Sequence, residues 1–146
     1  MAIIDCKKNS FAKAASFFAE KLGIADDVFV HIKVKKKMKG MFGYCEYLPE
    51  ACDVLKTFLI VIENSKYEDP YEVLAHEMVH VWQYVRGDLA DGNGHSIWKG
   101  EAYPDTKVGS EEYYFSPWEL EAYGYSVGLI ELYRRELCRT QKKQPS

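Results

Sequence analysis

Hydrophobic positions change their spacing along the chain, and each change marks an element. Between residues 10 and 22, Phe11, Ala15, Phe18 and Leu22 recur at helical intervals and Gly23 follows as a stop, so the chain opens with an amphipathic helix. From 28 to 35 the period becomes two. Val28, Val30, Ile32 and Val34 alternate with Phe29, His31, Lys33 and Lys35, which predicts a strand with one buried and one partly solvated face. The stretch "KKMKG" then turns into "MFGYCEYL", a second strand expected to pair with the first as a hairpin. In "TFLIVIENS", 57 to 65, the apolar run is continuous and rich in β-branched residues, so both faces of this strand should be covered.

A helix over 70–86 comes next, with full punctuation. Asp69 can cap it, Pro70 suits the first turn, Glu72 stands where a capping-box acid belongs, and Arg86-Gly87 closes it. Residues 87 to 115 are polar, glycine-containing and aromatic without a sustained period, which predicts a long loop region with room for a short hairpin. Within it "DGNG", 91 to 94, lacks the ligand offsets of a calcium loop and reads as a turn. From Ser116 a last long helix is expected to about 139, opened by the capping-box pattern "SPWE", with a flexible tail over 141–146.

Composition narrows the class. A chain of 146 residues, 47% hydrophobic and 28% charged, suits one globular domain, here assigned to 1–140. The formal charge of -3 offers no general attraction to nucleic acid or an anionic membrane. The one basic run, "KVKKKMK" at 33–39, is read as a solvated strand edge kept from aggregating, so nucleic acid is not an expected partner. Cys6, Cys45, Cys52 and Cys138 lie far apart without CxxC spacing, which points to reduced, inert thiols. With no basic apolar leader and no run of membrane-span length, the expected location is the cytoplasm.

The candidate chemistry sits in the middle helix. In "AHEMVHVWQ", His76 and His80 are four apart, so they differ by about 40° and stack on one helix face, where both imidazoles can reach one ion. Zinc suits that arrangement, because it accepts imidazole nitrogen in a tetrahedron and as a catalytic centre keeps one position for water. Glu77 follows the first histidine, placed to take a proton from that water without ligating the metal. Around these three, Leu74, Ala75, Met78, Val79, Val81, Trp82 and Val85 are apolar, and burying such a polar trio with no ion to bind would cost several kcal/mol.

Through "HEMVH" the chain resembles the zincin metallopeptidases, and among them most closely compact gluzincin-type proteins. The resemblance implies a glutamate on a later helix as third ligand, followed by a small residue three positions on. Glu119 with Ala122 matches this, with Tyr123 where aspartate or asparagine is usual, and Glu121 with Gly124 matches almost as well. Glu119 is preferred because it shares a mostly apolar face with Ala122, Tyr123, Ser126 and Ile130, where an unpaired carboxylate is costly. A weaker resemblance is to SprT-like proteases, which act on proteins crosslinked to DNA and take their third ligand from a histidine. His95 in "GHSIWKG" stands one position off that pattern.

Several residues offer supporting roles. Gln83, three after His80, can orient a ligand or simply be a surface glutamine. Tyr103, Tyr113 and Tyr114 are candidates to stabilise an oxyanion, against ordinary aromatic packing, and Trp98 and Trp118 read as anchors. The expectation is an α+β, zincin-like fold: a small twisted sheet of three or four strands with an N-terminal helix, the motif helix and a C-terminal helix. Its function would be Zn2+-dependent hydrolysis of a peptide or protein substrate. A zincin fold used as a binding or regulatory module with little turnover, and a nucleic-acid-associated protease, are the rival readings.

Overall fold

The computed structural model describes residues 1–143. It is an α+β fold whose main sheet is mixed and four-stranded, with the N-terminal helix and the motif helix packed against it and the C-terminal helix packed on those two helices. Strand β1, Ile3–Cys6, leads into helix α1, Asn9–Leu22, and then into β2, Val28–Lys35. After β2 come β3, Gly43–Tyr47, and β4, Lys56–Glu63, and the order across the sheet is β1-β2-β4-β3. β1, β2 and β4 run parallel, and β3 is antiparallel to β4.

The expected hairpin between β2 and β3 does not form, because β4 lies between them. The physical reason is in the sequences of the three strands. β4 is buried along almost its whole length and needs a neighbour on each side, whereas β3 is only partly buried and tolerates an edge. β1 was not anticipated. It pairs with Phe29 to Ile32 over four residues, too short for its period to stand out in the sequence.

α1 follows its predicted pattern, burying Phe11, Ala15 and Phe18, and it ends at Gly23 with φ 70°. The sheet face formed by Val28, Val30, Phe58 and Ile60 joins one core with α1 and with helix α2, Pro70–Val85. β3 lies directly beside α2, and Gly43 permits this: a Cβ there would sit 2.5 Å from Val73 Cγ1.

Residues 87–115 hold more structure than the predicted loop. They form a second, antiparallel sheet of β5, Leu89–Asp91, β6, His95–Trp98, and β7, Glu101–Pro104, followed by a short helix α3, Glu111–Tyr114. Strands of three or four residues leave too few alternations to register as a period.

Helix α4, Pro117–Lys143, continues past the predicted end near 139, so residues 141–143 of the expected tail are helical. The rest of that tail, 144–146, falls outside the described residues. α4 runs antiparallel to α2. Its first turn meets Gln83 near the end of α2, and Arg134 reaches back to Asp69 at the start of α2, 3.1 Å away. Among the described residues no helix is long and apolar enough to cross a membrane.

Candidate metal centre

α2 carries the motif and is capped by Asp69, whose carboxylate accepts from the Tyr71 amide at 2.9 Å. Glu72 takes no part in a capping box; it pairs with Arg134 at 3.7 Å. His76, Glu77 and His80 are all buried on this helix. The capping box expected at "SPWE" is also absent, since the Ser116 hydroxyl donates to the Tyr113 carbonyl at 2.6 Å. The Glu119 side chain is therefore released from capping and turns towards α2.

There it completes a cluster. His76 Nε2 lies 3.0 Å from Glu119 Oε1, His80 Nε2 lies 2.8 Å from Glu119 Oε2, and the two Nε2 atoms are 3.1 Å apart. Among the described residues, His76, His80 and Glu119 form the one group of His, Cys, Asp or Glu side chains able to hold a metal ion. The two competitors for the third position lie elsewhere. Glu121 accepts from Gln83 Nε2 at 3.1 Å and is ion-paired with Arg86, while His95 Nδ1 sits 2.9 Å from the Asn93 carbonyl at the start of β6.

Hydrogen bonding around the cluster tests whether a cation fits it. Gln83 is fully buried, and its Nε2 donates to the Trp118 carbonyl at 2.9 Å. A carbonyl can only accept, so that end of the amide must be the NH2 group. The other end, Oε1, then faces His80 Nδ1 at 2.8 Å and must accept from it. With the proton on Nδ1, a neutral His80 aims the lone pair of Nε2 at the Glu119 carboxylate and at His76 Nε2. His80 Nε2 and Glu119 Oε2 are then two acceptors 2.8 Å apart, which repel unless a positive species lies between them. Two imidazoles and a carboxylate are also a donor set that zinc takes. The residues present fit the ion.

The electrostatics agree. Without a metal, burial would depress the His80 imidazolium, but its hydrogen bond to Glu119 and that carboxylate's charge outweigh burial and raise its pKa to about 9. Glu119 shows the converse: burial pushes its carboxyl up, and the hydrogen bonds to His76 and His80 hold it well below the usual carboxylate range. A proton thus occupies the place that a metal cation would take from it. Glu77 differs in kind, because burial raises its pKa and the two histidines only partly offset this. The outer nitrogen of His76, Nδ1, is buried without a hydrogen-bond partner among the described residues, so of the two histidines His80 has its tautomer fixed by the protein.

A cleft of about 630 Å³ opens over the cluster, with His76, Glu77 and His80 in its floor and Gly43, Tyr44 and Cys45 of β3 along one side. Tyr113 lines it too, and its hydroxyl is held up in pKa by burial, by the charges of Glu119 and Glu77, and by a hydrogen bond with Glu119. Tyr123 packs on the His76 ring with centroids 4.3 Å apart, and Tyr114 packs on Tyr123. Tyr103 lies outside the cleft lining, against Trp118. The sequence reading had not given Tyr123 a place in the cleft. Its position four residues after Glu119, on the same helix face, is the signal that could have found it.

The small sheet β5-β6-β7 braces this arrangement. Trp98 of β6 and Tyr103 of β7 pack against Trp118, one residue before Glu119, and Arg86 lies over the Trp82 ring at 4.0 Å while pairing with Asp88 and Glu121. Trp98 and Trp118 are thus anchors. Gln83 is the link between this brace and the His76–His80–Glu119 cluster, a role the sequence left open against that of a surface side chain.

Comparison with known proteins agrees with part of this. A model of the SprT-like family matches residues 8–102, which include β2, β4, α2, β5, β6 and the first half of β7 but not α4. No curated protein and no solved structure matches the chain. The match falls on the resemblance that the sequence ranked second. His95, the residue in play under that resemblance, lies apart from the cluster, and the third acceptor is Glu119, beyond the matched residues.

Proposed function

The chain belongs to the SprT-like family, and from that premise we propose that it is a zinc-dependent protease acting on peptide or protein substrates. The observation that carries this reading is the convergence of His76 Nε2, His80 Nε2 and the Glu119 carboxylate on one point, with Gln83 turning the His80 lone pair inward. His76, His80 and Glu119 are the proposed ligands. Zinc held there would supply a Lewis acid for the substrate carbonyl and bring the pKa of a water near neutrality.

The remaining steps belong to the chain. Glu77 lines the same cleft, has no hydrogen-bond partner among the described residues, and accepts the proton of the attacking water. Its raised pKa suits it to keep that proton briefly and deliver it to the departing amine. The Tyr113 hydroxyl, beside Glu119, can donate to the carbonyl oxygen as negative charge develops on it. β3 is one of the two edge strands of the main sheet and borders the cleft, so an extended substrate can add to it by main-chain hydrogen bonds and lie across Glu77. Four free cysteines suit a reducing compartment such as the cytoplasm.

Glu77→Gln tests the proposal. Hydrolysis of an unfolded protein substrate should fall by at least about a hundredfold, the scale of a lost general base, while zinc content and melting temperature stay unchanged. Undiminished hydrolysis by that variant would refute it. Zinc binding with no hydrolysis by the wild-type protein would instead favour a binding module.

A further inference from the structure

The cleft walls carry a pattern that the proposed chemistry does not use. One wall is the segment between β2 and β3, which contributes Met38, Met41 and Phe42, and the other comes from α4 and the turn before α3, with Tyr123, Val127 and Val108. Phe42, Val108, Tyr123 and Val127 are exposed to solvent although they are apolar or aromatic. The first wall is pinned: the Met38 amide donates to the buried Glu63 carboxylate at 2.6 Å, the Glu63 amide to the Phe42 carbonyl at 2.8 Å, and the Asn64 amide to the Lys35 carbonyl at 2.9 Å. It is a formed surface that water covers poorly, and an apolar side chain entering between the walls would displace that water.

At one end of the same cleft stand two carboxylates, Glu68 and Glu72. Glu72, His76 and His80 lie four apart on α2, so they share a face and each step is about 6 Å along the helix axis. Glu72 is therefore one turn from the metal cluster towards the start of α2, and Glu68 lies beyond it. Glu72 shares its charge with Arg134 at 3.7 Å, whereas Glu68 has no hydrogen-bond or ion-pair partner among the described residues. Among the described residues no lysine or arginine lines this cleft.

We propose that the cleft selects segments in which a large apolar residue neighbours a lysine or arginine, with Glu68 as the specificity-determining residue that receives the basic side chain. The apolar walls take the first residue by burial and Glu68 takes the second by charge. The assignment rests on the protease reading for what happens to the bound segment, but not for the binding preference itself. Because Glu68 is exposed, the discrimination is modest, in the range of threefold to tenfold, and screened by salt.

The test uses the full chain carrying Glu77→Gln, loaded with zinc, and fluorescent peptides that differ only in Lys, Gln or Glu beside a central Phe. Fluorescence anisotropy should rank Lys over Gln over Glu, with a threefold to tenfold span that shrinks at 0.5 M salt. Adding Glu68→Lys should reverse the ranking with the melting temperature unchanged. Equal affinities for the three peptides, or a ranking that survives Glu68→Lys, overturns the proposal. Cleavage by the wild-type chain, measured beside this, separates the two readings: cleavage with no charge ranking sinks the specificity alone, and a ranking without cleavage sinks the protease alone.

Discussion

Gln83→Met is the sharpest probe of the centre, because it keeps the volume of a fully buried side chain and removes only its polar ends. Three hydrogen bonds are lost: from His80 Nδ1 at 2.8 Å, to the Trp118 carbonyl at 2.9 Å, and to Glu121 at 3.1 Å. Glu121 keeps Arg86 as a partner, so its loss is small. His80 Nδ1 is left unpaired, whereas the Trp118 carbonyl lies in the first turn of α4 and still accepts from the helix backbone, so the metal-free protein should lose about 1 to 3 kcal/mol. The more telling effect is on the metal. With no acceptor for Nδ1–H, the His80 ring can turn and exchange tautomers, and zinc affinity should fall about 10- to 100-fold, or about 1.4 to 2.7 kcal/mol. Competition against a chromogenic chelator measures the affinity, and chemical denaturation of the apo protein measures the stability. A variant that loses stability yet binds zinc with wild-type affinity would show that Gln83 is a buried structural amide with no hold on His80, and the tautomer argument would fail.

Two further outcomes follow from the same geometry. Glu119→Gln should reduce zinc to a small fraction of one equivalent, Glu121→Gln should weaken it severalfold at most, and His95→Ala should leave it unchanged; metal analysis of the three variants after dialysis checks the ranking, and full zinc in Glu119→Gln would reject that ligand. In the metal-free protein the His80 pKa is raised from 6.5 to about 9, so its contribution to stability is complete below about pH 6.5, declines above it, and is gone once pH passes about 9. The apo melting temperature should therefore drop between pH 6.5 and 9 while zinc affinity climbs over the same interval, as binding displaces that proton; an apo protein equally stable at both ends would contradict the protonated state.

Short-range patterns in the sequence determined the middle of this protein. Helical repetition places His76, Glu77 and His80 together wherever α2 happens to pack, the Asp69 cap needs only the next turn, and the alternation of β2 is a property of eight consecutive residues. Those features depend on neighbours within about four positions, which any reader of the chain can see. The tertiary structure decided what depends on elements far apart. β4 took the place beside β2 that the hairpin reading had given to β3, because only a two-sided site hides its continuous apolar run. Glu119 and Glu121 differ by about 200° around α4, so the docking of α4 on α2 gave one to the histidines and the other to Gln83 and Arg86. The sequence offered a reason to prefer Glu119, its apolar neighbours, but the crossing of the two helices is fixed by contacts such as those of Tyr133 with Phe18 and Tyr71, each more than sixty residues from Tyr133 in the chain. Spacing along one helix is a local geometric certainty, whereas a third ligand is supplied by packing, and packing is the sum of many weak apolar contacts that no short window contains.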